Sequence, residues 1–452
     1  MIFASSSLEP DQISSIKMSI EAGLAIFAIL LVVYGGIGIL LGRWSITMPI
    51  VFVIIGVLIG PYGLGFLPVK PGEETVKWLT EVTLALLLFA DASTLDFNRV
   101  RQEISLPARL LGAGLPLTIA LGGIVAFFLF PGQGWGFALL VGAILAPTDA
   151  ALGLPIFSNP KVPVRIRRAL NVESGLNDGI ATPFVTLFIA LAVAEEGATP
   201  ASGWWMSAVT QIGLAVIVGV VIGVVGGKFL EYAHQRKWTY GAPLQFSVLA
   251  LAFGAYLGSI TLGGNGFVAA FVAGIAFGAI TRARLAESAE YTETTGTFLS
   301  LMVWTIFGAI FVVPAALMVF DWYVVVYALL SLTAIRMLPV AVAMFGVHLR
   351  PDTVLLMGWF GPRGLASVVF GIMAFDSLAA ASKETGLLAA VVTWTILLSV
   401  LAHGLSAQPL AAWYARRLKT VPAGAPELID VPEFHGRSDV LLATTGKAAG
   451  HK

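Results

Sequence analysis

The sequence predicts an all-α polytopic membrane protein of about thirteen transmembrane helices. Three observations carry that prediction. Hydrophobic residues make up 58% of the chain and charged residues 12%, against about 25% charged in ordinary soluble domains. Apolar runs of about 18 residues or more, enough to cross a bilayer's hydrocarbon core, recur along the whole length. The loops between them alternate in basic charge, as the positive-inside rule requires of a chain that crosses back and forth.

The apolar spans fall near 20–41, 48–66, 78–93, 105–130, 135–155, 170–194, 204–230, 244–261, 265–281, 296–320, 323–346, 352–376 and 387–413. One set of loops holds Arg43; Arg99 and Arg101; Lys161, Arg165, Arg167 and Arg168; Arg236 and Lys237; Arg282 and Arg284; Arg350; and Arg416, Arg417 and Lys419. The opposite set holds Lys70, Lys77 and Lys383, with Lys17 before the first span. The richer set is expected in the cytoplasm. An odd number of helices then leaves the N-terminus outside and the C-terminus inside a cell (plasma or inner) membrane.

Residues 1–19 read as a polar extracytoplasmic segment, carrying Glu9 and Asp11. A signal peptide has a basic start and a shorter apolar core, so the first span reads as a retained helix. Residues 20–419 form the membrane domain. Residues 420–452, with Pro422, Pro426 and Pro432, read as a short, largely disordered cytoplasmic tail. The chain has no Cys, which excludes disulfides, thiol catalysis and Cys-ligated metals. Net charge is formally zero, and no nucleotide or nucleic-acid motif is present. The stretches Gly35-Gly36-Ile37-Gly38 and Gly223-Val224-Val225-Gly226-Gly227 lie inside apolar spans and read as helix-packing faces.

The sixth span opens with Asn171-Val172-Glu173-Ser174-Gly175-Leu176-Asn177-Asp178-Gly179. Charges at membrane depth cost about 3 kcal/mol each on insertion scales, so they are functional candidates by default. The fifth span contains Ala146-Pro147-Thr148-Asp149, and the twelfth contains Gly361-Pro362-Arg363-Gly364. Each puts a Pro and a charge mid-span, where a helix break survives only if protein buries it or it lines a cavity. If the first six and last six helices are repeats about a linking seventh, the two breaks occupy corresponding places. Paired interruptions of that kind are the best sequence pointer to a transporter site.

These residues, with Leu88-Phe89-Ala90-Asp91, and Arg336 in Thr333-Ala334-Ile335-Arg336, resemble the first cation–proton antiporter family, in its NhaP-type and sodium–proton exchanger branch. The resemblance runs over nearly all of the membrane region. It implies two inverted six-helix repeats with crossed broken helices, and exchange of sodium (or lithium or potassium) for protons by alternating access. It implies Asp178 as the carboxylate that binds proton or cation by turns, with Asp91, Ser174 and Thr148 as further transient cation ligands. Asn177 stands where electrogenic relatives carry a second Asp, so exchange is expected to be electroneutral. Glu173 is expected to pair with Arg336. Asp149 and Arg363 are expected to neutralise the half-helix ends at the crossing. A homodimer through the early helices and the seventh is a family expectation, as is the absence of a cofactor.

Two rivals stand beside this reading. An intramembrane aspartyl protease would use Asp149 and Asp178 as two carboxylates sharing a proton. A same-fold carrier of organic anions would need more polar side chains in the core. His403 reads as a packing histidine, and Glu81 and Arg109 as interfacial residues.

Overall fold

The computed structural model describes residues 10–43, 46–94, 104–157, 161–195, 203–281, 284–317, 321–381, 385–418 and 424–429, with the single positions 159 and 422. Glu9, Arg99, Arg101, Arg282, Lys383, Lys419 and Pro432, named above, lie outside them. Among the described residues the fold is entirely helical, and helix covers each of the thirteen predicted segments.

In chain order the helices are α1 (Pro10–Arg43), α2 (Met48–Ile59), α3 (Glu74–Ser93), α4 (Ser105–Leu129), the halves α5a (Gly134–Ile144) and α5b (Ala150–Phe157), α6 (Val164–Glu195) and α7 (Trp204–Gln235). Then follow α8 (Ala242–Thr261), α9 (Gly266–Thr281), α10 (Ala286–Phe307, continued to Leu317), the halves α11a (Trp322–Leu332) and α11b (Ala334–Ala343), the halves α12a (Pro351–Trp359) and α12b (Leu365–Ala380), and α13 (Gly386–Leu418). Among the described residues eight spans are long and apolar enough to cross a membrane, the α11a–α11b span among them, and α2, α5a, α9 and α12b are shorter apolar helices.

Both predicted interruptions occur. Pro147 lies between α5a and α5b, and Pro362 between α12a and α12b. A third was not foreseen. The eleventh span breaks at Thr333, whose backbone leaves the helical region (φ −114°, ψ −96°). No Gly or Pro marks it, since Pro339 lies further on, inside α11b. The ends also differ from the apolar runs. The first helix begins at Pro10, well before the apolar run, and α2 stops at Gly60-Pro61, where proline cannot continue the helix.

The helices sort into two packed groups. The interrupted helices α5, α11 and α12 pack with α4, α6 and α13. α9 packs along α3 and α7, and α10 along α2 and α3. α6 and α12b meet the second group at α3, α9 and α10. Gly223 and Gly226 do serve close approach, against Ala273 and Leu251. Gly35 and Gly36 face no neighbour within 4 Å, so that stretch is no packing seam within this chain.

Residues 424–429 of the tail are described, and they pack against the membrane domain. Residues Pro426–Leu428 form a single 3-10 turn. Glu427 is fully buried there, and its Oε1 accepts from the Arg350 backbone N–H (2.7 Å) and the Thr353 hydroxyl (3.2 Å) at the start of α12a. Arg165, at the start of α6, donates to the Pro426 carbonyl (2.5 Å). A carboxylate at a helix N-terminus meets N–H groups the helix cannot satisfy itself. Glu427→Leu is expected to lower stability by about 1–3 kcal/mol, because it strands those donors. The melting temperature in detergent checks it.

Candidate functional site

The site lies where α5 and α12 cross. Breaking a helix in a membrane exposes N–H groups at the start of one half and carbonyls at the end of the other. Asp149 takes up the donors. Its Oδ1 accepts from Ala151 N (2.7 Å) and Leu152 N (3.3 Å) on α5b, and its Oδ2 from Leu365 N (3.0 Å) on α12b. Arg363, fully buried, takes up the acceptors. It donates from Nη1 to the Ala146 carbonyl (3.0 Å) and from Nη2 to that of Ser331 (3.1 Å), near the end of α11a. The Asp149 N–H donates to the Pro362 carbonyl (2.8 Å), which joins the two breaks directly.

Helix α6 runs beside this crossing. Glu173 and Arg336 form a bidentate buried pair, Nη1 to Oε1 at 2.6 Å and Nη2 to Oε2 at 2.8 Å. Both residues are 1% exposed. The unforeseen break at Thr333 sits one helical turn before Arg336. One turn along α6 from Glu173, Asn177 donates from Nδ2 to the Thr148 hydroxyl (2.6 Å), and Thr148 and Ser174 share a hydroxyl–hydroxyl bond (3.0 Å). All three are buried. Asn177 Oδ1 is a buried acceptor with no hydrogen-bond partner.

Asp178 follows on α6 and is half-buried. The Thr182 hydroxyl bonds back to its carbonyl (2.9 Å). Pro183 removes the N–H that would meet the Gly179 carbonyl. Asp91, near the end of α3, approaches α6 from the second helix group. Its Cβ lies 4.0 Å from where a Cβ on Gly175 would sit. Thr148, Ser174, Asn177 and Asp178 thus share one neighbourhood, with Asp91 facing it across the boundary between the groups.

Two glycines make this possible. A Cβ on Gly364 would run into the Asp149 carboxylate, and one on Gly361 into the Arg336 guanidinium. Sequence reasoning quoted both and gave neither a role. It also missed Ser399, which accepts from the Arg363 N–H (2.6 Å), and Ser367, which donates to the Ile144 carbonyl (2.7 Å). Polar residues in an apolar helix were the available signal. His403 sits between the Ser399 and Trp359 carbonyls, each 2.8 Å from a ring nitrogen. Arg109 caps the end of α11b, donating to the carbonyls of Ala343 (3.1 Å) and Phe345 (2.9 Å).

The Glu173–Arg336 pair carries a stability prediction. Removing either partner leaves a buried uncompensated charge, so Glu173→Ala and Arg336→Ala should each cost about 3–5 kcal/mol. The double variant should lose less than the two singles added together. Thermal melts of the three variants test this; simple additivity would mean that the two residues are energetically uncoupled.

Comparison with known proteins places this architecture. A family model described as "Sodium/hydrogen exchanger, transmembrane" matches residues 26–413. The K(+)/H(+) antiporter NhaP of Alkalimonas amylolytica is 26% identical over 404 residues, covering 86% of this chain and 68% of that protein. The Na(+)/H(+) antiporter of Schizosaccharomyces pombe is 27% identical over 408 residues, covering 80% of this chain and 83% of that one. The chain spans 40% of the length of the K(+)/H(+) antiporter NhaP2 of Shewanella sp. (strain MR-4), at 28% identity. The solved structure of the sodium proton antiporter MjNhaP1 from Methanocaldococcus jannaschii shares the fold, with a TM-score of 0.69 at 20% identity, covering 88% of this chain and all of that one. With its crossed broken helices and a match over most of its length, the chain belongs to the sodium/hydrogen exchanger family of transmembrane cation–proton antiporters.

Proposed function

We propose that this chain exchanges sodium for protons, one for one, at Asp178. One observation carries the reading. The oxygens of Thr148, Ser174 and Asn177 gather beside Asp178 at a helix break, and Asn177 Oδ1 lacks a hydrogen-bond partner there. Sodium is a hard cation that takes oxygen ligands. A carboxylate with neutral oxygens around it holds either that cation or a proton. Asp91 completes the ligand set from α3, and lithium and potassium are the competing cargoes.

The crossing is the rigid part. Asp149 and Arg363 hold the half-helix ends, and Glu173 with Arg336 fixes α6 to α11b. The group formed by α4–α6 and α11–α13 then rocks as a body against α2, α3, α9 and α10, giving access to Asp178 from alternate sides. The N-terminus is outside and the C-terminus is cytoplasmic. α1 and α7 have the most exposed apolar spans, 6% and 22% buried. They face lipid and a second copy of the chain in a homodimer. The protease alternative fits poorly, because both Asp149 oxygens already accept backbone N–H groups at the helix crossing.

Asp178→Asn should abolish exchange in proteoliposomes while the purified protein keeps its melting temperature. Flux near that of the unmodified protein, with sodium, lithium or potassium as cargo, would remove Asp178 from its role.

Exchange should also be electroneutral. Asn177 cannot ionise, Glu173 is held by Arg336, and Asp149 is held at the crossing. Asp178 carries a proton in one half-cycle and a cation in the other, so the site's total charge is the same both ways. An imposed potential would otherwise act on each turnover with about 2.3 kcal/mol per 100 mV. Sodium-driven proton flux in liposomes clamped with potassium and valinomycin should not change with potential. A shift would bring a second carboxylate into the cycle, Asp91 first.

A further inference from the structure

A cavity of about 700 Å³ opens between the two helix groups, on the side of the molecule away from the arginine-rich loops. Its walls include Glu81 of α3, Thr186 of α6, Tyr256 of α8, Phe267 of α9, Ser377 of α12b, and Asn265 just before α9. The side follows from chain direction. α6 starts at the Arg165 end and reaches the cavity only at Thr186 and beyond.

The lining is built for a cation. Glu81 is the one charged residue among the cavity-lining residues, and the Tyr256 hydroxyl donates to its Oε2 at 2.7 Å. At the floor, Asn265 donates from Nδ2 to the Thr186 hydroxyl (2.7 Å). A ladder of back-bonded hydroxyls continues from there toward the site. Thr186 donates to the Thr182 carbonyl, and Thr182 to that of Asp178. Thr186 and Asp178 are eight residues apart, or about 12 Å along the helix.

Asp178 is not among the residues that line the cavity. Phe271 of α9 packs its ring flat onto the backbone of α6 at Gly179, the residue after Asp178. A Cβ at position 179 would stand only 2.3–2.5 Å from three carbons of that ring. Phe267, which lines the cavity, is one turn nearer the open side on the same helix. The ring thus sits at the depth of the carboxylate, one turn deeper on α9 than the cavity-lining Phe267. It belongs to α9, in the helix group against which the α6 group slides, so relative movement of the groups must draw it off Gly179 or press it on.

We propose that Phe271 is the outer gate of the exchange path: its ring, seated on Gly179, closes Asp178 off from the Glu81 cavity, which receives a hydrated monovalent cation from outside. A glycine there gives the ring a flat seat with no side chain to clear. The aromatic ring excludes water when seated and needs no hydrogen bond to be broken when it leaves. The inference rests on Asp178 as the carrier, but its test does not measure exchange.

The chain has no native cysteine, so single cysteines report access directly. Thr186→Cys samples the cavity, and Asp178→Cys samples the far side of the ring. A charged, membrane-impermeant methanethiosulfonate reagent is applied to the side away from the arginine-rich loops. Thr186→Cys should react quickly, and equally with or without Phe271. Asp178→Cys should react slowly, and adding Phe271→Ala should speed it at least about tenfold, since a gate shut most of the time leaves only a minor open population. Unchanged labelling of Asp178→Cys in a folded Phe271→Ala protein, judged by size exclusion and by normal Thr186→Cys labelling, overturns the gate. If Phe271→Ala does not fold, Phe271→Val is held to the same criterion. Thr186→Cys that fails to label from that side overturns the cavity as an outer entry. An Asp178→Asn protein that still transports would instead overturn the carrier role and leave the labelling result standing.

Discussion

The structure depends on how two interrupted helices end inside a membrane. A break at that depth strands backbone donors and acceptors where water cannot reach them, at several kcal/mol for each group left unmet. Here one carboxylate and one guanidinium meet most of that demand between them. Asp149 accepts from the first N–H groups of α5b and from α12b, and Arg363 donates to the carbonyls of Ala146 and Ser331. Each charged side chain serves more than one helix, so no helix of the crossing can move alone. The two glycines follow from this. Gly364 leaves room for the Asp149 carboxylate and Gly361 for Arg336, so the backbone comes as close as the charges require.

The second buried pair extends the same logic outward. Glu173 and Arg336 match each other bidentately with almost no exposure. A buried pair of this kind contributes little net stability compared with apolar packing of the same shape, but breaking it is severe. It therefore acts more as a constraint on geometry than as a source of stability. It fixes the rotation of α6, and that rotation turns Ser174 and Asn177 toward Thr148, four residues being slightly more than one turn.

Much of this was legible in the sequence, for a physical reason. Charge, proline and glycine are disfavoured in the middle of an apolar span, so Asp149, Arg363, Glu173 and Arg336 stood out against a plain background. The all-helical membrane fold followed from the length of the apolar runs and the alternating charge of the loops. What escaped was of four kinds. The break at Thr333 carries no proline or glycine and is set by tertiary demand, because the Ser331 carbonyl is given over to Arg363 and Arg336 must reach Glu173. The hydroxyls of Ser367 and Ser399 look like ordinary small residues in a membrane helix until their partners are seen. Glu427 sits in a proline-rich polar stretch whose composition says nothing of the N–H and hydroxyl groups waiting at Arg350 and Thr353. Glu81 reads as interfacial by position, and only the fold shows that it faces a cavity and the Tyr256 hydroxyl.

The distribution of contact types then separates rigid from movable parts. Within the group of α4–α6 and α11–α13, the contacts at the crossing are charge-assisted and directional, and shifting them would leave buried charges unmet. Across the boundary to α3 and α9, a hydrogen bond from Asn265 to Thr186 marks the outer end of α6, while two contacts deeper along it are of another kind: the Phe271 ring on Gly179, and the Asp91 side chain beside Gly175. Both meet α6 at a glycine, where a sliding side chain finds no obstacle. Apolar contact is non-directional and scales with area, so one seated arrangement can be exchanged for another at small difference in free energy. Asp178 lies on the rigid helix, between those two glycines. On the reading proposed above that placement is useful: Thr148, Ser174 and Asn177 are held with it in one helix group, while Asp91 and Phe271 approach from the other.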